Sequence, residues 1–101
     1  MAFEIVWTIK AVDTYAANIE YLKEEWSDKE VRKFAFLTKR KLEVLKRFPF
    51  SGISQSSANE NIRCTVLHKR VNLIYRVNSV KGKIELLLFW NTWQNPSKFK
   101  V

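Results

Sequence analysis

Three β-strand patterns follow one another between residues 61 and 90, and they constrain the fold more than any other feature of the chain. Residues 61–67 (NIRCTVL) and 71–77 (VNLIYRV) alternate apolar with polar side chains, which is typical of strands with one buried face. Residues 84–90 (IELLLFW) are almost continuously apolar, which predicts a strand covered on most of both faces. Because the two connections are short, we predict an antiparallel meander.

A strand and a helix are predicted before this meander. Residues 3–9 (FEIVWTI) are rich in β-branched and aromatic side chains, which favours a first strand. Apolar residues then recur at three- and four-residue steps and predict one face of a helix that begins near Ala11. That predicted face consists of Val12, Tyr15, Ala16, Ile19, Leu22 and Trp26.

A second helix is predicted directly after the first. Ser27 and Glu30 have the spacing of a capping box, so the helix is expected to begin at Ser27 or Asp28. Pro49 ends it, because the residue before a proline avoids the helical conformation. Its apolar stripe is Val31, Phe34, Ala35, Thr38, Leu42 and Leu45.

The resulting order, β-α-α-β-β-β, predicts an α+β fold. In it the N-terminal strand and a helical hairpin pack on one face of an antiparallel sheet and leave the other face free. The length of 101 residues suits a single domain, 1–101. The one cysteine, Cys64, can form neither an internal disulfide nor a multi-cysteine metal site, and its alternating position predicts a core residue. We therefore predict no metal and no cofactor.

Charge and hydropathy limit the classes of partner. Eighteen Lys and Arg against ten Asp and Glu leave a net charge of +8, which favours nucleic acid, an acidic protein or an anionic surface. The longest apolar run is too short for a membrane span, and the first ten residues lack the order of a signal peptide. A cytoplasmic location without membrane contact is therefore expected.

Four segments in this order resemble the RelE/ParE toxin superfamily of bacterial toxin-antitoxin pairs, the plasmid stabilisation toxins. They are the opening strand with the helix that follows it, residues 42–52 (LEVLKRFPFSG), residues 61–77 (NIRCTVLHKRVNLIYRV) and residues 84–96 (IELLLFWNTWQNP). The resemblance implies a cytoplasmic toxin that a cognate antitoxin neutralises by wrapping it. RelE-like members cut messenger RNA in the ribosomal A site, and ParE-like members poison DNA gyrase.

Two arginines are the candidate catalytic residues. Arg63 matches the family's strand arginine, and its alternation with Cys64 places it on the free sheet face, where a guanidinium can hold and stabilise a scissile phosphate. Arg76 is expected on the same face if the hairpin register is simple. The alternative for both is an ordinary solvated arginine or one paired with the antitoxin.

Other candidates are cationic or aromatic. Lys69 and Arg70, at a predicted turn, and Lys46 and Arg47, on the second helix, are predicted to bind nucleic acid, with a solvated surface as the alternative. For the cationic face of the second helix, an acidic antitoxin segment is a further alternative. His68 is the only histidine and hence the familiar acid-base candidate, although a turn position argues against catalysis.

Trp90 and Trp93 flank the end of the last strand. They are predicted to receive the antitoxin or to close the core, with stacking on bases as the alternative. Residues 92–95 after that strand (TWQN) offer no group that titrates near neutral pH, unlike the RNA-cutting relatives.

These features support one hypothesis with two alternatives. The chain is predicted to be a type II toxin that arrests growth as a ribosome-dependent endoribonuclease, an mRNA interferase. The alternatives are a DNA gyrase inhibitor and a non-catalytic relic that only binds its antitoxin or nucleic acid.

Overall fold

Over residues 2–55, 61–69 and 71–92, which the computed structural model describes, the chain forms five strands, two α-helices and one 3₁₀ turn. The strands are β1 (Glu4–Trp7), β2 (Ile53–Ser54), β3 (Ile62–His68), β4 (Val71–Asn78) and β5 (Lys83–Asn91). The helices are α1 (Ile9–Glu25) and α2 (Asp28–Arg47), and the 3₁₀ turn is Pro49–Ser51. The predicted α+β order is confirmed, with the two-residue strand β2 as an addition.

All five strands of the described chain belong to one sheet with the order β1-β5-β4-β3-β2. The predicted antiparallel meander β3-β4-β5 is confirmed. Strand β1 pairs parallel to β5 at one edge, because the helical hairpin carries the chain away before the meander begins. Strand β2 pairs antiparallel with β3 at the other edge; two residues are too few for a periodic signal in the sequence.

Local hydrogen bonds determine where both helices begin. The Thr8 hydroxyl accepts a hydrogen bond from the Ala11 amide at 3.1 Å and so caps α1, which begins at Ile9. Strand β1 therefore ends at Trp7, two residues before the predicted end of the strand at Ile9. Ser27 caps α2 as predicted, and its hydroxyl accepts from the Glu30 amide at 3.4 Å. Helix α2 ends at Arg47, as Pro49 predicts.

The core lies between the helical hairpin and one face of the sheet. Ala11 and Leu22 from α1 and Phe34 and Leu45 from α2 are fully buried there. The sheet contributes Leu67, Val71, Leu73, Tyr75, Val77, Ile84, Leu86 and Phe89. The predicted phase of β4 is therefore confirmed. The stripe of α1 is rotated from its prediction, because Val12 is exposed and Asn18 is buried.

The phase of β3 is opposite to the prediction. Arg63 is the cross-strand partner of Tyr75, and Cys64 is the partner of Ile74. Directly paired residues point to the same face of a sheet, so Arg63 lies on the helix-facing side with Tyr75, and half-buried Cys64 lies on the other side. Pairing with β4 decides the phase, since β3 alternates without showing which of its two sets is buried.

The face turned away from the helices is called the open face. The described residues of β3, β4 and β5 whose pairing places them there are Ile62, Cys64, Val66, Asn72, Ile74, Arg76, Asn78, Lys83, Glu85, Leu88 and Trp90. Two irregularities shift the register, one between Val66 and His68 and one opposite Ile74 and Tyr75. The centre of the open face is apolar, because the paired side chains of Ile74 and Leu88 are buried there.

Candidate functional site

Arg63 holds the segment between α2 and β3. Its Nη1 atom donates hydrogen bonds to the carbonyl oxygens of Gly52 at 2.8 Å and Phe50 at 3.2 Å. The guanidinium carbon also lies 4.9 Å from the centroid of the Phe50 ring, within the range of a cation–π interaction. Nε is buried and makes no hydrogen bond to any described residue. Its guanidinium is thus engaged by the protein itself on the helix-facing side of the sheet.

Tyr75 holds the same segment from the core side. Its hydroxyl donates to the Pro49 carbonyl oxygen at 2.9 Å and accepts from the Gly52 amide at 2.9 Å. Burial raises the pKa of the Tyr75 phenol, so it remains a neutral donor. A Cβ atom on Gly52 would lie 2.5 Å from that hydroxyl oxygen and 2.9 Å from the Cys64 carbonyl oxygen. A glycine is therefore required where the segment crosses Tyr75. The sequence signal for this contact was the PFSG run, whose partner only the fold identifies.

Arg76 lies on the open face, as predicted, and is neutralised there. Its Nε atom lies 2.8 Å from Oε1 of Glu85, the residue opposite it on β5. The two side chains are 42% and 31% exposed, so this ion pair is accessible to solvent. Near the same end of the sheet, Lys83 Nζ and Glu4 Oε1 are 3.9 Å apart. Two cations and two carboxylates therefore balance at this end of the sheet.

A shallow cavity of about 370 Å³ lies beside Arg76. Its lining combines the aliphatic side chains of Ile62, Leu87 and Leu88 with the polar side chains of Thr8, Lys10 and Arg76. Lys10 reaches this cavity from the first turn of α1, and sequence reasoning had not selected it. Two cations over an apolar floor suit a ligand with an acidic group beside an apolar surface.

His68 lies away from this cavity, on the helix side of the sheet. It is only 4% exposed and is the last residue of β3 rather than a turn residue. Its Nε2 atom lies 3.1 Å from Oε1 of Glu30, in the first turn of α2. The hydrogen bond from the imidazole is the main reason why the pKa of Glu30 is lowered. The pair joins α2 to β3 and faces no open cavity among those described.

The predicted nucleic-acid-binding residues are dispersed. Lys69 lies after β3, with its Nζ atom 4.8 Å from the centroid of the Trp26 ring. Lys46 forms an ion pair with Glu43 at 2.9 Å, and Arg47 is exposed at the end of α2. Arg70 lies outside the described residues. Lys69 follows the end of β3 that lies away from Arg76. Arg47 follows Lys46, whose carbonyl oxygen accepts a hydrogen bond from the Phe3 amide beside β1. Among the described residues, no cavity is lined by both Arg47 and Arg76.

Trp90 pairs with Asn72 on the open face and is half-buried there, which suits the predicted role of an aromatic contact for a partner. Trp93 lies outside the described residues. Within the described ranges, no three His, Cys, Asp or Glu side chains are grouped so that they could hold a metal ion. In those same ranges, neither helix is long and apolar enough to cross a membrane.

Comparison of the fold with solved structures identifies several similar chains. A chain of the chromosomal ParDE toxin-antitoxin system from P. aeruginosa superposes with a TM-score of 0.69 at 16% identity, covering 89% of this chain and 96% of that one. For the RelBE2 toxin-antitoxin complex from Mycobacterium tuberculosis, the TM-score is 0.62 at 12% identity, with 90% and 99% covered. An E. coli RelE toxin mutant in the free state gives 0.63 at 11% identity, with 95% and 90% covered.

No protein-family model and no curated protein sequence matches the chain. At these identities the likeness is one of fold, and it extends over nearly the whole of both chains in each comparison. The resemblance predicted from the four sequence segments is therefore confirmed at the level of structure. The chain shares the fold of these ParDE, RelBE2 and RelE structures.

Proposed function

We propose that this chain is the toxin of a type II toxin-antitoxin pair and that it arrests growth by binding DNA gyrase rather than by cutting RNA. One observation supports the choice of target. Arg63 and Arg76, the two candidate catalytic cations, lie on opposite faces of the sheet. Cleavage of a phosphodiester needs charge stabilisation and proton transfer at one phosphate, whereas these two guanidinium groups cannot meet on one.

The state of each candidate group supports the same choice. The Arg63 guanidinium is engaged by two carbonyl groups, Arg76 by Glu85, and the only histidine by Glu30. An RNA-cutting site built from them would first have to break these interactions. A toxin that acts by occupying a protein surface requires only shape and complementary contacts.

A cognate antitoxin is part of this proposal. The apolar centre of the open face, with Ile62 and Val66 toward one edge and Trp90 at one end, suits an antitoxin segment that covers it. Both Trp90 and the Arg76–Glu85 pair would then be contacts for that segment. The toxin is expected to bind its antitoxin in the cytoplasm, and the free toxin is expected to act there, where gyrase and ribosomes are found.

The first experiment is inducible expression in bacteria, followed by supercoiling assays with purified gyrase. We expect growth arrest, an induced DNA-damage response, and either reduced supercoiling or trapped cleaved DNA in the purified reaction. Soluble protein that arrests no growth would contradict every toxin hypothesis and favour the non-catalytic relic. Arrest without an effect on gyrase would contradict the proposed target.

Ribosome-dependent RNA cleavage is the second candidate, and the cavity beside Arg76 favours it. Lys10 and Arg76 together line that cavity, and the chain carries a net charge of +8. Primer extension on a defined messenger in reconstituted translation tests this candidate directly. New ends inside A-site codons that require ribosomes, and that disappear in Arg76→Gln but persist in the matched surface variant Lys23→Gln, would establish RNA cleavage and replace the gyrase proposal.

A further inference from the structure

The solvent-facing side of α2 carries a largely apolar ridge that the rest of the described chain leaves exposed. Phe36, Arg40 and Val44 recur at four-residue steps, and Phe48 follows at the same step just beyond the last helical residue. Phe36 is 58% exposed and Phe48 63% exposed. Residues at this spacing form one continuous row on a helix, and twelve residues of helix extend about 18 Å.

This ridge lies between two concavities. One, of about 500 Å³, is lined by Phe36, Lys39, Arg40, Glu43, Val44, Arg47 and Phe48. The other, of about 300 Å³, lies between α2 and β3 and is lined by Phe36, Leu37, Arg40, Lys41, Val44, Val66 and Leu67. A row of side chains between two grooves is the surface into which a second helix packs its own rows.

The surroundings of the ridge are strongly basic. Lys39, Arg40, Lys41 and Arg47 form no ion pair with any described residue. Glu43, the only acidic residue lining either groove, is bonded to Lys46 at 2.9 Å. The positive charge of these four residues is only partly offset, because Lys39 and Arg47 share the Glu43 carboxylate with Lys46. An incoming surface of negative charge would complement the remainder.

We infer that this α2 face is a docking site for an acidic amphipathic helix of a partner protein, separate from the open face of the sheet. Apolar side chains of that helix would enter the two grooves beside Phe36 and Val44, and its carboxylates would meet the four cations. Phe36 and Val44 lie in the middle of the ridge, where contacts exclude water best, so they are expected to dominate the affinity.

Other macromolecules fit this face less well. The Arg40 guanidinium carbon lies 5.7 Å from the centroid of the Phe36 ring, so this face of the ring is occupied rather than open for stacking on a base. Anionic lipid is a separate class of partner for a basic face with exposed apolar side chains, and the vesicle titration below tests it.

A peptide titration followed by NMR tests the inference. The probe is a synthetic helical peptide of about 16 residues, which is four to five turns, with leucines along one face and glutamates on the other. A peptide of the same composition in scrambled order, anionic phosphatidylglycerol vesicles and a short DNA duplex are titrated in parallel. We expect saturable shifts of the amide signals of residues 36–48 with the amphipathic peptide, and weaker or no shifts with the scrambled one.

Matched variants then identify the determinants. Phe36→Ser with Val44→Ser removes the apolar contacts and is expected to weaken peptide binding at least about tenfold, or 1.4 kcal/mol. The control pair Ile9→Ser with Val12→Ser alters two exposed apolar residues on α1 and is expected to leave binding unchanged. Arg40→Gln with Arg47→Gln is expected to reduce affinity most at low salt, because screening already weakens these contacts at high salt.

Any of three results of the peptide titrations would overturn the inference. These are no saturable binding of the amphipathic peptide, equal binding of the scrambled peptide, and shifts on the open face instead of residues 36–48. Saturable shifts of residues 36–48 with vesicles or DNA but not with the peptide would overturn it as well and assign the face to the other class of partner. Growth arrest and gyrase inhibition do not enter these readouts, so the result is independent of the proposed function.

Discussion

Single side chains decide how the segment between α2 and β3 is held. Arg63 and Tyr75 are cross-strand partners, and both bind backbone groups of residues 49–52. The arginine that the sequence offers as a phosphate ligand therefore has a clear structural task. The tyrosine beside it forms hydrogen bonds with a backbone carbonyl and a backbone amide that would otherwise be buried without a partner.

Removal of the Tyr75 hydroxyl is expected to destabilise the fold. In Tyr75→Phe the Pro49 carbonyl and the Gly52 amide lose their buried partner, so the free energy of unfolding should fall by about 1–3 kcal/mol. Urea denaturation measures this loss. Tyr21→Phe, at a half-buried hydroxyl on α1, is the control and should change the free energy by no more than about 0.5 kcal/mol. Equal effects of the two substitutions would contradict the assigned contacts.

The Glu30–His68 pair is expected to make stability depend on pH. Its hydrogen bond lowers the Glu30 pKa below the ordinary value of 4.5, so the folded state holds the proton less tightly than the unfolded chain. The stabilisation is fully present above the unfolded pKa and is lost as the pH falls through the lower, folded value.

Denaturation of the wild type and Glu30→Gln at a series of pH values tests this dependence. The wild type should be more stable at neutral pH, and the difference should shrink below about pH 4.5, where Glu30 becomes protonated. Glu24→Gln, on the exposed part of α1, is the matched control. A difference that stays constant down to acidic pH would show that the carboxylate charge is not what stabilises the pair.

Among the elements, α1 and β5 are joined by side chains that replace a missing strand. Strand β1 pairs with β5 only as far as Leu86, because α1 begins directly after β1. The Phe89 amide donates to the Thr14 hydroxyl at 3.0 Å, and the Phe89 carbonyl accepts from the Asn18 side chain at 3.0 Å. Asn91 in turn donates to Asn18 at 3.0 Å. A polar residue in the helix–sheet interface thus satisfies the sheet edge.

Loss of the Asn18 amide is expected to uncouple α1 from this edge. In Asn18→Leu the volume is nearly kept, but the buried Phe89 carbonyl loses its side-chain donor and the Asn91 amide loses its bond to Asn18. The expected loss is about 1–3 kcal/mol in the free energy of unfolding, with faster hydrogen exchange at the end of β5. Glu20→Leu adds the same side chain at an exposed position of α1 and should be nearly neutral. A more stable Asn18→Leu variant would show that apolar packing outweighs the hydrogen bonds.

For the whole molecule, the distribution of charge matters more than its total. Helix α2 carries eight Lys or Arg residues against Asp28, Glu30 and Glu43, whereas α1 carries two lysines against four acidic residues. Most of the excess charge of +8 is therefore on one helix, where the cations repel one another. This repulsion opposes folding. The same positive charge would attract an acidic partner to α2.

Added salt is expected to stabilise the fold by screening that repulsion. Raising NaCl from about 0.02 to 0.3 M shortens the screening length to less than 10 Å, so the urea midpoint should rise. The gain should be smaller in Lys39→Gln with Arg47→Gln, which lowers the charge of α2 by two, and unchanged in Lys39→Arg. A midpoint that falls with salt would mean that ion pairs such as Arg76–Glu85 outweigh the repulsion.

Features that depend on neighbours along the chain could be predicted from the amino-acid sequence. Ser27 and Pro49 set the two ends of α2, because a capping side chain and a proline ring act within one helical turn. The meander was predictable because alternation over seven or eight residues and short connections are both local. The same local signals carried the resemblance to the RelE/ParE fold, which the structure confirms.

Three features required the assembled fold: the face on which the β3 side chains lie, the parallel pairing of β1, and the partners of the candidate site residues. A strand with two partly apolar faces fits either way, so pairing with Tyr75 and Ile74 had to select the side on which Arg63 lies. The partners of Arg76 and His68, Glu85 and Glu30, are 9 and 38 residues away in sequence. Such contacts form only when separate elements meet, and no local pattern records them.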